Sequence, residues 1–585
     1  MAVDTSERSS PIRYEADETP PSALSFGLGL QLAILCIAGI VLTPAIVIRA
    51  AGGTEAYLSW ALFAAVAVSG VTTIIQAVRV GRIGAGYVLM MGTSGAFIAI
   101  CVTALAEGGP AMLATLVVIS SLFQFALSNR LSLLRRILTP TVAGTVIMLI
   151  AVTVMPIVFD MLTEVPEGRP ATGAAYSALA TMVVIIAIGM KATGTLRLWA
   201  PVIGIVVGTV VAAFFGLYDT GRIAEAAWIG VPAGAWPGFD LSFGPTFWAL
   251  LPAFVFVTLV GAIETIGDAV AIQRVSWRRD RAVDFRTVQG AVAADGVGNL
   301  LSGLAGTVPN TTYSSSVSVT ELTGVAARSV GVAAGVVFIV MAFLPKALAL
   351  ILAIPGPVAA AYITVLIAML FVVGMRIVVQ DGIDHRNSMI AGVSFWIGVG
   401  LQSGVIFPEY FAEFAGGLLQ NGMTGGGLIA ILLTLFCELT EPRRRRIEVE
   451  FDTSALPKIR EFLTDFASAS GWDAAMEFRL DAASEETLLT LLNQDQSGES
   501  LKRRLLVVAH KHAGEAVLEF VAAPGTANLE DRIALLGEQA AATSIEREVS
   551  LRLLRHLASS VRHQQYHDTD IVTIRVTPPE AVATG

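Results

Sequence analysis

Two carboxylates, Glu264 and Asp268, stand four residues apart inside a long apolar stretch, Ala262-Ile263-Glu264-Thr265-Ile266-Gly267-Asp268. On a helix that spacing puts both on one face. An ionisable side chain within a membrane span is costly and marks a candidate functional site. Such a carboxylate can accept hydrogen bonds from substrate N–H groups, carry a coupling proton, or do both. The competing reading is a structural carboxylate bonded between helices. For Asp268, which lies nearer a basic loop, the two readings stand level.

The second candidate is a run of hydroxyls. Residues 306–328 read Gly-Thr-Val-Pro-Asn-Thr-Thr-Tyr-Ser-Ser-Ser-Val-Ser-Val-Thr-Glu-Leu-Thr-Gly-Val-Ala-Ala-Arg, and a shorter stretch, Gly92-Thr93-Ser94-Gly95-Ala96-Phe97, occurs early in the chain. Non-helical backbone survives in lipid only where it is buried in protein or lines a polar cavity. Two interrupted segments at corresponding places of two halves point to a transporter binding site. Other polar groups are weaker candidates. Asp295, followed by Gly296 near the start of a span, fits a local turn or helix cap at least as well as chemistry. Glu321 reads as solvated or paired with Arg328. Histidines are absent from the middles of the apolar segments, and His385 sits in a basic loop, so a histidine relay is excluded.

These residues need a frame of helices. The chain of 585 residues is 54% hydrophobic and 15% charged, the balance of an integral membrane protein and not of a soluble enzyme. The net charge of −9 reflects mainly the last part of the chain, and nothing points to nucleic acid. Cys36, Cys101 and Cys437 are far apart in apolar segments. No metal spacing or disulfide is expected, and neither a cofactor nor a catalytic group is assigned. Apolar runs of about 20 residues suffice to span. They recur at 24–48, 57–77, 86–104, 110–128, 139–159, 173–190, 198–216, 245–272, 288–304, 310–322, 329–349, 357–377, 387–403 and 423–439.

The loops between these fourteen segments alternate in charge. One set carries Arg79, Arg82, Arg130, Arg135, Arg136, Lys191, Arg197, Arg274, Arg278, Arg279, Arg281, Arg286, Arg328, Arg376 and Arg386. The opposite set carries Glu55, Glu107, Asp160, Glu164, Glu167, Asp219, Glu225, Glu409 and Glu413. The positive-inside rule then places both termini in the cytoplasm, with Arg443 to Arg446 closing the last span. Fourteen spans divide as seven plus seven, and an odd repeat forces an inverted one. The third and tenth spans, the two interrupted ones, become equivalent.

With these residues in place, the segment from 24 to 440 resembles the nucleobase–ascorbate transporter family (nucleobase/cation symporter-2), which includes uracil and xanthine permeases. Pro309-Asn310-Thr311-Thr312-Tyr313, Val317-Ser318-Val319 and Thr323-Gly324-Val325-Ala326-Ala327-Arg328 are similar to its tenth-span signature. Glu264 to Asp268 and Gly92 to Phe97 are similar to its eighth-span and third-span motifs. The resemblance implies a core of spans 1–4 and 8–11, a gate of spans 5–7 and 12–14, and short strands in spans 3 and 10. It implies that Glu264 hydrogen-bonds a base, that Phe97 and Tyr313 flank it, and that Ser314, Ser315 and Ser316 line the pocket. Proton coupling then falls to Glu264 with Asp268. The chain departs from the family pattern in three places. Ser314-Ser315-Ser316 replaces a Glu or Gln followed by Asn. Gln31-Leu32 lacks the first-span histidine. Asp268 stands where uracil permeases have a histidine.

Residues 1–22 read as a disordered cytoplasmic tail, 23–441 as the transmembrane domain, and 442–585 as a cytoplasmic α/β regulatory domain. In the last, strands are predicted at 447–451, 505–509, 516–521 and 571–576, and helices at 455–468, 472–492 and 550–561. Its order resembles the histidine-kinase-like ATPase fold of anti-sigma-factor kinases. Glu486 is followed by Thr490, not by an Asn four later, the loop at 522–525 lacks an Asp, and Glu548 and Ser550 fall where phosphate-binding glycines are expected. A degenerate, non-catalytic module is implied.

The leading reading is a non-enzymatic, multi-pass symporter of the cell membrane. Its substrate is a nucleobase, purine- or xanthine-like or uracil-like. It is driven by a proton or other cation and moves by an elevator-type shift. It is expected as a homodimer in the lipid bilayer, with a possible cytoplasmic protein partner for its last domain. The alternatives are a sulfate-permease-like anion transporter and a membrane-bound ligand sensor signalling through the C-terminal domain.

Overall fold

The computed structural model describes residues 12–134, 139–166, 168–232, 236–279, 281–379, 382, 384–407, 422–440, 444–494, 504–512, 514–522, 528–530 and 553–578. Residues 1–11 of the tail lie outside the described residues. So do Arg135, Arg136, Glu167, Glu409, Glu413 and Arg443 of the charged loops, the loop at 523–525, and Glu548 and Ser550.

The first helices follow the apolar runs. They are α1 (Ser22–Ala50), α2 (Glu55–Val78), α3 (Ile98–Asn129), α4 (Pro140–Leu162), α5 (Ala171–Lys191) and α6 (Thr195–Phe214). Caps start two of them. The Thr54 side chain accepts from Tyr57 N–H, and Thr139 accepts from Val142 N–H with Pro140 in the first turn. After them come α7 (Pro245–Arg274), α8 (Phe285–Ala305), α9 (Ser315–Thr323), α10 (Arg328–Ala342), α11 (Pro345–Leu352), α12 (Gly356–Val379), α13 (His385–Gln402) and α14 (Gly422–Thr440). Two short strands, β1 (Met90–Thr93) and β2 (Asn310–Tyr313), interrupt this helical order where the hydroxyl-rich stretches occur.

Length and apolarity alone do not return the expected fourteen spans. Among the described residues nine helices pass, or ten with the pair Arg328–Ala342 and Pro345–Leu352, which bends by 89°. The expected third and fourth spans run together through α3, broken only by Gly109 at φ 73° before Pro110. The expected single span 329–349 is broken where the chain leaves α10 and Pro345 opens α11. Three other expected segments fall short because they are polar or short. α8 holds Gln289, Asp295 and Asn299, β2–α9 is hydroxyl-rich, and α13 opens on His385, Arg386 and Asn387.

The helices sort into two packing groups. In one, α1, α2 and α10 lie together and α3 lies on α7; in the other, α4, α5, α6, α12 and α13 pack among themselves. Glycine permits close crossings. A Cβ on Gly144 of α4 would sit 2.4 Å from the Gly374 carbonyl of α12, and one on Gly374 would sit 2.7 Å from the Gly144 carbonyl. The small-residue contact replaces the hydrophobic drive that lipid cannot supply between helices.

The expectation of a disordered tail over residues 1–22 is corrected from residue 12 onward. Tyr14 bridges Val325 in parallel, and Ala16 and Pro20 are buried. Of the two readings of Glu321, solvated or paired with Arg328, the first holds, and Arg328 has another partner. It pairs with Asp17 at 2.5 Å, while Glu321 is exposed. Local composition marked residues 12–21 as polar and Pro-rich. The partners that order them lie hundreds of residues away.

The chain divides into two compact units, and the second comprises residues 279–286 and 440–585. It holds β3 (Arg445–Glu450), α15 (Leu456–Ala469), α16 (Ala474–Gln494), β4 (Arg504–His512), β5 (Glu515–Ala522), β6 (Ser560–Gln565) and β7 (Asp570–Val576). The strands form one antiparallel sheet in the order β3-β4-β5-β7-β6. Leu505, Val507, Leu518, Phe520, Val572 and Ile574 alternate onto the face that packs with Ile459, Leu463, Leu480 and Leu488. The predicted helix 550–561 is corrected at its end. Helix covers 553–557 of the described residues, and from Ser560 the chain is a strand paired to β7. Its sequence, Ser-Val-Arg-His-Gln-Gln, has little strand character, and tertiary pairing decides it.

In the first unit, the Arg278 guanidinium bonds to Glu18 and holds its carboxyl below the usual carboxylate range. A group with a depressed folded value contributes stability above its unfolded value, about pH 4.3. That contribution is lost as pH falls through the lower folded value. Amide hydrogen exchange at Tyr14 and Ala326, corrected for intrinsic rates, should therefore show protection that is flat from pH 7 to 5 and falls on further acidification. Protection unchanged at pH 3 would refute the assignment.

Candidate functional site

The site is built around two strands that leave the helical pattern inside the first unit. β1 and β2 pair antiparallel, with Met90 opposite Tyr313, Met91 opposite Thr312, Gly92 opposite Thr311 and Thr93 opposite Asn310. Each backbone thereby satisfies the other in a region that water does not reach. Ser94 N–H adds a bond to the Pro309 carbonyl at 2.8 Å. A helix starts immediately after each strand: a 3-10 turn at Gly95–Phe97 leads into α3, and α9 begins at Ser315. Helix starts present unpaired N–H groups and positive dipole.

Tyr313 is held in a slot made by two glycines. Its hydroxyl donates to the Thr93 carbonyl at 2.9 Å. A Cβ on Gly92 would lie 2.5 Å from the Tyr313 ring, and one on Gly39 of α1 would lie 3.2 Å from its hydroxyl. Phe97 is buried and packs on Phe254 of α7 with ring centroids 6.2 Å apart. Its ring edge also comes within 3.9 Å of a Cβ position on Gly261, one turn before Glu264. Phe97 and Tyr313 thus approach from β1–α3 and β2.

The three serines separate. The Ser316 hydroxyl is fully buried and donates to the Tyr313 carbonyl at 2.9 Å, so the structure places it in the helix start and not on the open side. Ser315 is half-buried, with its hydroxyl 3.1 Å from the Cys36 sulfur of α1. Ser314 is exposed, at the start of α9 next to Ser315. Cys36 is a contributor that sequence reasoning missed. Tyr362 of α12 is another, a buried residue whose hydroxyl lies within electrostatic reach of Tyr313. Neither residue type at its position signals a site; only packing brings them there.

The two carboxylates of α7 have different surroundings. Asp268 is buried and accepts from the Thr312 hydroxyl at 2.7 Å, so it braces β2 against α7. Glu264 is half-buried, and no hydrogen bond or ion pair to it is present among the described residues. A half-buried carboxylate without a protein partner is available to an N–H donor from outside.

Asp295 corrects the expected turn or cap. It lies well inside α8, which starts at Phe285, and is fully buried. Its Oδ2 accepts from Gln124 of α3 at 2.6 Å and from the Thr265 hydroxyl at 2.9 Å. Gln124 in turn accepts from Asn299 at 2.7 Å, and Asn299 accepts from the Asn310 N–H of β2 at 2.7 Å. Through the Thr312–Thr265 contact at 3.4 Å, this network continues to Asp268. It ties α3, α7, α8 and β2 together. The polar residues of α8 were visible in sequence, but their partners were not.

Residues 24–406, more than half of the chain, match the model of the permease family designated Xan_ur_permease. The chain is similar to the putative purine permease CPE0397 of Clostridium perfringens (strain 13 / Type A), at 29% identity over 414 residues, 69% of this chain and 88% of that protein. It is similar to the xanthine permease XanP of Escherichia coli (strain K12), at 30% identity over 452 residues, 73% of this chain and 95% of that protein. Among solved structures it is similar to the transmembrane domain of a cyanobacterium bicarbonate transporter, BicA, at 17% identity and a TM-score of 0.43, covering 72% of this chain and 99% of that one.

The glycine slot yields a test. Gly92→Ala forces the Tyr313 ring aside and should cost about 1–3 kcal/mol, the usual range for overpacking. In a Tyr313→Ala background the same change should cost little. Thermal unfolding of the purified full chain measures both, and equal costs in the two backgrounds would show that the slot is not what Gly92 provides.

Proposed function

Because this chain belongs to the Xan_ur_permease permease family, we propose that it is a secondary active transporter of a nucleobase, purine- or xanthine-like or uracil-like. The observation that carries this reading is Glu264: a half-buried carboxylate with no protein partner among the described residues. It stands one turn from Asp268, which braces β2. A planar base carries N–H donors that such a carboxylate accepts. Apolar rings and a few convergent polar groups suit a flat heterocycle. Tyr313 and Phe97 supply the rings. Ser314, Ser315 and the N–H groups at the helix starts supply the polar contacts.

Glu264 is also the proposed carrier of the coupling proton, with Asp268 as its neighbour on α7. The movement is an elevator-type shift of one packing group against the other. The division of the helices into two groups supports it. The inverted repeat is supported by the antiparallel pairing of β1 with β2 and by the reciprocal Gly144–Gly374 contact of α4 with α12, the fifth and twelfth expected spans. Both termini are placed in the cytoplasm on the alternation of loop charge, and a homodimer in the cell membrane is the proposed assembly. The second unit is read as a regulatory module for a cytoplasmic partner. The Thr490 hydroxyl donates to the Glu486 backbone carbonyl at 2.6 Å, and a hydroxyl there, in place of the Asn amide of the resembled ATPases, supports the non-catalytic reading.

An anionic substrate fits poorly. Glu264, Asp268 and Asp295 lie on adjoining α7 and α8, and no cation is paired with them among the described residues. A substrate that brings its own negative charge would meet three carboxyl groups.

Glu264→Gln removes a charged acceptor worth about 1.5–3 kcal/mol. Uptake of radiolabelled xanthine or uracil into vesicles should fall about ten- to hundredfold, and its dependence on an imposed proton gradient should vanish. Wild-type, gradient-driven uptake in the variant would sink both assignments. Ser315→Glu should move the ligand profile in a thermal-shift screen toward uracil-like bases; an unaltered profile would remove Ser315 from the pocket.

A further inference from the structure

Residues 12–18 close a circuit of contacts at one end of the first unit. The Arg13 and Tyr14 N–H groups donate to the Gly324 carbonyl at 2.7 and 3.0 Å, just past the end of α9. Ala326 N–H returns a bond to the Tyr14 carbonyl at 2.8 Å, and Arg328 N–H reaches the Ala16 carbonyl at 3.3 Å. The same strap grips Arg278, which follows α7. The Arg278 guanidinium donates to both Glu18 oxygens at 2.7 and 2.6 Å, to the Ile12 carbonyl at 3.1 Å and to the Arg13 carbonyl at 2.9 Å. Its backbone N–H donates to Glu15 at 2.9 Å.

Two more links complete the circuit. Arg328 pairs with Asp17 and donates to the Gly86 carbonyl at 2.6 Å. The next residue, Tyr87, receives the Trp277 indole N–H at 3.2 Å, with the rings edge to face at 6.1 Å. Trp277 adjoins Arg278. Four segments distant in sequence, 12–18, 86–87, 277–278 and 324–328, thus form a closed ring. Each leads into an element of the site: 86–87 into β1, 277–278 back into α7 with Glu264, and 324–328 back into α9 with Ser315.

We propose that residues 12–18 are a clasp that sets the spacing between α7 and β2–α9, the two elements between which the base is held. A bidentate guanidinium–carboxylate pair fixes orientation as well as distance. The backbone bonds to Gly324 and Ala326 make the attachment independent of charge alone. Residues 15, 17 and 18 act through Arg278 and Arg328 and touch no substrate; they are positioning residues. The clasp stays attached while the site-bearing elements move. This proposal rests on the nucleobase reading of the site.

The experiment uses the full chain in proteoliposomes. Glu15→Ala with Glu18→Ala should raise the KM for base uptake about three- to tenfold while kcat is retained. A second variant, Tyr14→Cys with Val325→Cys, joins the two bridge partners on oxidation. The joined protein should still transport, and joining should restore the KM when combined with the alanine pair. An unchanged KM in the alanine variant, or a fall in melting temperature alone, overturns the clasp. Arrest of transport on joining overturns it too, because the strap would then have to leave. No saturable base uptake by the unaltered chain would overturn the nucleobase reading, and the clasp with it.

Discussion

The structure depends on one constraint: inside an apolar medium, every polar group must find its partner within the protein. β1 and β2 abandon helical self-satisfaction and regain it from each other across more than 200 residues of chain. Further bonds tie the strand pair to the helices around it. Thr312 bonds to Asp268, Asn310 reaches Asn299 through its backbone, and Gln124 and Thr265 converge on Asp295. Leaving any one of these unmade would strand a buried donor or acceptor, at about 1–3 kcal/mol for a neutral group and more for a charge. The network therefore holds the strands in a single arrangement, beside which Glu264 has no partner among the described residues.

Small residues make this possible. Gly92 and Gly39 give Tyr313 the room to lie over the strand pair and bond to Thr93. Gly144 and Gly374 allow α4 and α12 to cross at backbone contact in the other packing group. Such packing would leave the proposed site preorganised, so that binding does not have to order it. The hydroxyl of Ser316 shows the same economy: it finishes the helix start that Ser314 and Ser315 border.

Much of the framework was legible. Apolar runs located most of the helices, the hydroxyl-rich stretches at 92–97 and 306–328 marked the two interrupted segments, and the family resemblance implied strands there. The pair Glu264 and Asp268 stood out as charges in an apolar segment. The reading faltered where a residue's role depends on what it meets. Asp295 looked like a cap because Gly296 follows it, yet it binds α3 and α7. Ser316 looked like its two neighbours, yet its hydroxyl turns inward. The polar tail looked unstructured because its partners, Arg278 and Gly324 to Arg328, lie far along the chain. The helix expected over 550–561 was drawn into the first two residues of β6, and the rest of that strand went unread because its own residues carry almost no strand preference.

By itself the sequence determined what is local: apolarity over the length of a membrane, the punctuation of Gly, Pro and hydroxyls, and the positions of charge along each segment. These follow from the solvation of single residues and short windows, which need no knowledge of neighbours. The tertiary structure decided which buried polar groups pair with one another. It set Asp268 on Thr312, Asp295 between Gln124 and Thr265, Cys36 beside Ser315, and the strap on Arg278. Such pairings join residues tens to hundreds of positions apart, and their energies exist only once packing has excluded water and brought the partners within bonding distance.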